Sequence, residues 1–203
     1  AHAVDHEIRM RGSSGGVLTA LQKYLLDSGA ADSVHAVTQD PDNGTQTIPA
    51  VLIDPERLIQ SAGSRYAPVA VLGERVFSNS EKSVIVAKPC EASALSAVCA
   101  HEGIARPVSL SFFCAGTPSQ QATDDLVKKL GCETSSVESV RYRGDGWPGS
   151  FRAVSSDGSL YSMSYEQSWG ENLGRECQWR CKMCVDGTGA HADVSVGDFW
   201  ETN

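Results

Sequence analysis

Residues 83–101 read SVIVAKPCEASALSAVCAH, and this stretch decides the fold. SVIVAK is a continuous apolar run of strand length. The Pro-Cys that follows breaks it, and a helical pattern runs from about Glu91 to His101. Residues 107–130 repeat the arrangement: PVSLSFF, the turn Cys114-Ala115-Gly116-Thr117-Pro118, then a helix from about Ser119 to Leu130. Two consecutive strand–turn–helix units with short apolar strands predict an α/β fold built on a mostly parallel sheet. Ligands of such sheets gather at the carboxyl ends of the strands. Cys90 and Cys114 stand at the two equivalent ends.

On the N-terminal side, residues 11–29 (RGSSGGVLTALQKYLLDSG) combine a Ser/Gly turn with an amphipathic helix. Val17, Leu18, Leu21, Tyr24 and Leu25 form its expected buried face. Ser13 or Ser14 is the expected cap and Gly29 the stop. A glycine-rich turn at a helix start is a ready anion site, because free N–H groups and the helix dipole converge there; an ordinary capped core helix fits the same residues. Strands are expected over residues 33–38 and 47–53, joined by PDNG, with a short helix from Asp54-Pro55 to about Gln60. Residues 61–69 (SAGSRYAPV) form a loop. Its Arg65 and Tyr66 offer a phosphate fork and a stacking ring, or plain surface.

On the C-terminal side the pattern changes. Short β segments over residues 137–143, 151–155 and 160–164 alternate with Gly-Asp-Gly-Trp-Pro-Gly and Ser-Asp-Gly turns, predicting a small antiparallel β insertion. We divide the chain into an α/β core over residues 1–135 and, in the same domain, a β insertion with a cysteine-rich segment over residues 136–203.

That segment ends in RCKMCVDGTGAHADVSVGDFW, residues 180–200. Cys181 and Cys184 form a C-x-x-C pair, the spacing that lets one turn grip a metal or one edge of a cluster. DGTG permits close backbone approach, and the short strand over residues 192–196 delivers Asp198. Cys90 and Cys114 are the expected other pair of ligands, with Cys177 in reserve. A structural zinc and an iron–sulfur cluster both use such spacing, so the cysteines alone leave the metal open. Cys99 and Cys132 read as small apolar residues.

Composition narrows the class. Seven cysteines in irregular positions suit no secreted disulfide framework and point to a reducing, cytoplasmic setting. Net charge −8 with no basic block disfavours nucleic acid and anionic membranes, and no apolar run reaches membrane-spanning length. The five histidines show no metal spacing; His2 and His6 are expected in a mobile terminus. No G-x-S-x-G motif supports a serine hydrolase. A chain that begins without Met and stops just after a strand reads as part of a longer one.

Four stretches, SSGGVLTAL (residues 13–21), GSRYAPV (63–69), AKPCEASAL (87–95) and RCKMCVDGTGAHADVSVGDFW (180–200), together resemble the coenzyme F420 hydrogenase/dehydrogenase beta-subunit family of iron–sulfur flavoproteins. FFCAGTPS (112–119) and YRGDGWPG (142–149) fit as well. The resemblance implies an oxidoreductase that binds FAD and a 4Fe–4S cluster. Such an enzyme passes electrons between a hydride carrier, coenzyme F420 or an organic substrate, and the cluster. It implies flavin contacts from Ser13, Ser14, Gly15, Gly16, Ser64, Arg65, Tyr66, Lys88, Pro89 and Asp198. Lys88 is the expected catalytic residue, and Cys90, Cys114, Cys181 and Cys184 are the expected ligands. A redox protein or subunit, a small hydride donor or acceptor, and an oligomer are the implied partners. Family sequences commonly carry a small residue where Lys88 stands, a departure that bears on its role. The rival reading is a non-enzymatic zinc module used for partner binding.

Overall fold

The structure is a computed structural model and describes residues 1–73 and 82–198; Trp200 lies outside the described residues. Five strands form the main sheet: β1 (Ser33–Gln39), β2 (Thr47–Leu52), β3 (Ser83–Val86), β4 (Val108–Phe112) and, late in the chain, β8 (Val194–Val196), in the order β2-β1-β3-β4-β8. β2 pairs antiparallel at one edge, and the other neighbours are parallel. The expected α/β fold with a mostly parallel sheet is what forms.

Alternation along β3 shows how the layers are made. Val84 is buried with Leu18, Leu21 and Leu58 on the face covered by α2 (Val17–Asp27) and α3 (Pro55–Gln60). Ile85, 0% exposed, turns to the other face with Leu95 and Cys99 of α4 (Pro89–Glu102). Both faces being covered, the strand reads as a continuous apolar run. Each such side chain contributes roughly 1.5–3 kcal/mol by leaving water. α4 begins at Pro89, the first-turn position that proline favours, two residues before the expected start.

After β4 the chain leaves the sheet through α5 (Gln120–Lys129), capped by Ser119 Oγ on the Ala122 N–H. It then builds the antiparallel sheet of β5 (Val137–Arg141), β6 (Ser150–Ser155) and β7 (Leu160–Ser164). Leu126 and Val127 of α5 pack on Val140, Tyr142 and Phe151 of this sheet in a second core. A π-helical turn, Glu166–Asn172, and the short helix α6 (Trp179–Lys182) lead back to β8.

Three local expectations are corrected. Tyr24 lies outside the buried face of α2, at 67% exposure; Thr19 and Gln22 are buried instead, with the Gln22 amide satisfied by donating back to Leu18 O. Neither Ser13 nor Ser14 caps α2, whose N-cap is Gly16 without a side-chain bond. The N-terminus is ordered by α1 (His6–Arg11), capped by Asp5, with Ala3 and Ile8 buried.

Asp193 fastens β8 to its neighbour. It accepts from the Ser109 N–H at 2.8 Å and from the Arg106 guanidinium at 2.9 Å. Burial pushes the Asp193 carboxyl up, but Arg106 and Ser109 outweigh it and hold the group below its ordinary value. A depressed carboxylate stabilises the fold above the unfolded value, about pH 4, and loses that contribution as pH falls through the folded value. Asp193→Asn should therefore cost about 1 kcal/mol at pH 7, a figure discounted for partial exposure. The gap to the parent should close towards pH 2 in urea titrations; a gap that persists there would assign the loss to something other than charge.

Candidate functional site

The turn before α2 comes first. Gly15 and Gly16 both take positive φ, 76° and 71°. A Cβ on Gly16 would stand 2.5 Å from Ile8 O, so α1 can pack here only against glycine. With Gly16 as N-cap, the opening N–H groups of α2 have no side-chain partner, and residues 16–19 form cavity wall. Freed from capping, Ser13 Oγ accepts from the Ser64 N–H at 2.6 Å. That bond joins two segments read separately from the sequence.

Between these segments and the strand ends lies a cavity of about 750 Å³. Its wall includes Ser13, Ser14, Gly16, Ser64, Arg65, Tyr66, Lys88, Cys114 and Asp198, drawn from five separate stretches of chain. Gly15 and Pro89 are not part of that wall: Gly15 lies against His2, and Pro89 is the first residue of α4. The position is where parallel sheets collect ligands, outside the carboxyl ends of β3, β4 and β8. Ser111 Oγ, donating to Ala87 O at 2.8 Å, holds two of those ends together.

Arg65 points its guanidinium into the protein. It donates to Val140 O at 2.7 Å, Gln46 O at 3.1 Å and Thr47 Oγ1 at 3.0 Å, tying the loop to both sheets. Tyr66 faces Trp169 with ring centroids 4.8 Å apart and meets Tyr142 edge-on at 5.5 Å. Burial pushes its phenol far above the ordinary tyrosine value. Lys88 Nζ donates to Val69 O and pairs with Glu91 Oε1, each at 2.8 Å, while the Lys88 N–H donates to Glu91 Oε2 at 3.0 Å. Its ammonium is fixed at the wall.

Sequence reasoning missed Arg143. It is 5% exposed, donates to Asp198 Oδ2 at 2.9 Å and Pro148 O at 3.1 Å, and lies 4.4 Å over the Tyr165 ring. Burial alone would lower its affinity for a proton; Tyr66 and Asp198 reverse the balance. A buried arginine shows in sequence only through its partner, and Asp198 is 55 positions away. Trp169 and Tyr165 were missed for a similar reason: the π-helical turn that carries Trp169 and starts just after Tyr165 has no apolar period to reveal it.

The cysteines gather around one glycine. Gly116 has φ 121°, and a Cβ there would lie 2.8 Å from Cys177 Sγ and 3.6 Å from Cys181 Cβ. The Thr117 N–H points at Cys181 Sγ, 3.4 Å away, and Gln178 N donates to Thr117 O, docking residues 177–181 on the turn. Burial pushes the Cys114 thiol up, and the nearby Cys181 and Cys90 thiols add to it. Burial does the same at Cys177, with Cys181 and Cys114 as the neighbours. Cys184, by contrast, is exposed, 3.4 Å from Asp186 O. Among the described residues, no three cysteine, histidine or acidic side chains converge at metal-binding range. The thiols suit a soft metal in kind, and their geometry is open. The cavity, in contrast, has the volume, aromatic wall and helix start that a nucleotide cofactor needs.

A mostly parallel α/β sheet with a large cavity at its strand ends and thiols along one rim defines an α/β domain with a ligand-sized site at the usual place for such sheets. Residues 1–73 match the N-terminal and residues 80–203 the C-terminal sequence description of the coenzyme F420 hydrogenase/dehydrogenase beta subunit. The chain belongs to that family. It is 27% identical over 201 residues to the F420-dependent formate dehydrogenase 1 subunit beta of Methanococcus maripaludis, covering 97% of this chain and 50% of that protein. It is also 27% identical to the coenzyme F420 hydrogenase subunit beta of Methanococcus voltae, covering all of this chain and 74% of the relative. The chain thus spans about half to three-quarters of these relatives. A chain of the xenon-derivatised F420-reducing [NiFe] hydrogenase complex from Methanosarcina barkeri shares the fold. Its TM-score is 0.69 at 20% identity, covering 95% of this chain and 66% of that one. No helix among the described residues is long and apolar enough to cross a membrane.

Proposed function

We propose that the chain is part of a cytoplasmic electron-transfer subunit that binds FAD in the main cavity and a 4Fe–4S cluster at the Gly116 turn. It would pass electrons between a hydride carrier, coenzyme F420 or an organic substrate, and a redox partner subunit. The observation that carries this reading is the Ser13–Ser64 bond, which puts the Ser/Gly turn and the 63–66 loop on one cavity with Cys114 and Asp198. A bound flavin supplies hydride acceptance as a pair and release of electrons one at a time.

The chain's own part is binding and charge. The N-terminus of α2 offers N–H groups to phosphate oxygens. Tyr66 and Trp169 give planar apolar surface. Lys88 is the proposed catalytic residue: held by Val69 O and Glu91, its ammonium places positive charge at the wall where reduction builds negative charge. For the cluster we assign Cys90, Cys114 and Cys181; the contact with Gly116 favours Cys177 over the exposed Cys184 as the fourth ligand.

The test is an absorption spectrum of anaerobically purified protein, with flavin, iron, sulfide and zinc assays on the same sample. Flavin bands over broad cluster absorption are expected; colourless protein with stoichiometric zinc would turn the function towards binding. Cys177→Ser should lose most of its iron and sulfide while Cys184→Ser keeps both. The reverse outcome would restore the C-x-x-C pair as one edge of the cluster.

A further inference from the structure

On the far side of the 61–65 loop from the main cavity lies a second, smaller one of about 230 Å³, between β1, the end of α3 and β5. Its composition runs against the rest of the chain. The protein carries net charge −8, yet this cavity is lined by two arginines, Arg65 and Arg141, and by no acidic residue. Its other polar lining is hydroxyls and two amides: Thr38, Ser61, Ser64 and Ser139 with Gln39 and Gln60.

The arginines are held in place by backbone. Arg65 is anchored on Val140 O and Gln46 O, as described, and Arg141 donates to Arg11 O and lies against Gly63, whose Cβ position is 3.7 Å from the Arg141 guanidinium. Carbonyls fix a guanidinium but do not cancel its charge. The nearest carboxylate to Arg141, Asp145, stands at 3.5 Å, is shared with Arg152 at 2.8 Å, and lies outside the lining. Both arginines line this one small cavity, and burial lowers each guanidinium's hold on its proton, with Arg141 adding to the effect at Arg65 and with Arg11 and Arg152 adding to it at Arg141. An anion between them would relieve both effects.

We propose that this cavity is a binding site for a phosphate-type oxyanion. Arg65 gives three of its five N–H groups to Thr47, Val140 and Gln46, and Arg141 gives one from each Nη to Ala62 and Arg11. Each guanidinium therefore keeps N–H groups to offer phosphate oxygens, with the Thr38 and Ser139 hydroxyls to complete the shell. At about 230 Å³ the cavity has less than a third of the main one's 750 Å³, room suited to one such group with a few waters. The half-charge at the C-terminus of the short helix α3 opposes an anion, and two full positive charges outweigh it.

The probe is inorganic phosphate, titrated calorimetrically into the chain as purified. Saturable one-to-one binding is expected. Arg141→Gln should weaken it at least tenfold. Because Arg141 also holds Arg11 and Ala62, a second variant guards against misfolding: Gln60→Glu, at an exposed position, places a carboxylate in the cavity and should weaken phosphate just as far. Arg106→Gln, at a surface pair elsewhere, should not. A repeat with saturating FAD separates two sources of the anion. Unchanged phosphate affinity means a free phosphate or phosphate ester is the ligand, and competition means the cavity takes the phosphate of a ligand reaching over the loop. No saturable binding, or equal binding by the Gln60→Glu variant, overturns the proposal, and neither result depends on whether flavin binds.

Discussion

Gly116→Ala is expected to strip the protein of iron and sulfide while leaving its two sheets folded. At φ 121° an L side chain is strained, at a cost of about 1–3 kcal/mol. The added methyl would also sit 2.8 Å from Cys177 Sγ, inside contact distance, with Cys181 Cβ just beyond. Either the 114–118 turn or the 177–181 segment must withdraw, and both carry proposed ligands. Loss of supporting contacts around a metal site typically costs about 10- to 100-fold in affinity, and here the displacement falls on the ligands themselves. Iron and sulfide content after anaerobic purification, with thermal melting alongside, reads the effect. Gly170→Ala is the control, since a Cβ there meets nothing within 4 Å. A Gly116→Ala protein with its full iron would show that these cysteines gather for a reason other than the cluster.

The cysteine-bearing turns also show where sequence reading reaches and where it stops. Residues 83–101 and 107–130 were legible because a strand covered on both faces must be apolar throughout, and each run ends in residues that break it. The antiparallel insertion was legible from its turns: the 160–164 segment forms as expected, and the other two differ by a residue or two at their ends. What was not legible depends on contacts between distant segments. α2 was read as a helix with an apolar stripe against the core, yet its Thr19 and Gln22 are buried because that arc closes the cavity. The terminus around His2 and His6 was expected to be mobile; a six-residue helix rarely holds alone, and here Ile8 is held against Gly16, which no local pattern announces. Spacing suggested Cys181 with Cys184. A glycine sixty positions earlier, at which Cys177 and Cys181 meet, favours a different pair.

Arg143→Ala should be the most damaging single substitution in the cavity wall. The side chain it removes is 5% exposed and joins three elements: Asp198 after β8, Pro148 in the turn before β6, and the Tyr165 ring at the start of the π-helical turn. Removing one member of a buried pair costs roughly 3–5 kcal/mol, because the remaining charge keeps its desolvation penalty without its partner. Asp198 retains some exposure, 16% of its side chain, so the lower end, about 3 kcal/mol, is expected in urea unfolding. Arg143→Lys preserves charge but not the fork that reaches Asp198 and Pro148 at once, so its loss should be intermediate. The double variant Arg143→Ala/Asp198→Asn discriminates between causes. If the stranded carboxylate is the main penalty, neutralising it returns part of the stability; if the Tyr165 contact dominates, the second change returns nothing. Flavin fluorescence titration then separates stability from function. Under the proposed reading, Arg143→Ala weakens FAD by tenfold or more, equivalent to about 1.4 kcal/mol. Asp198→Asn, which keeps the cation at the wall, weakens it less. Equal losses from the two variants would mean that the cavity needs the pair's shape and not the arginine's charge.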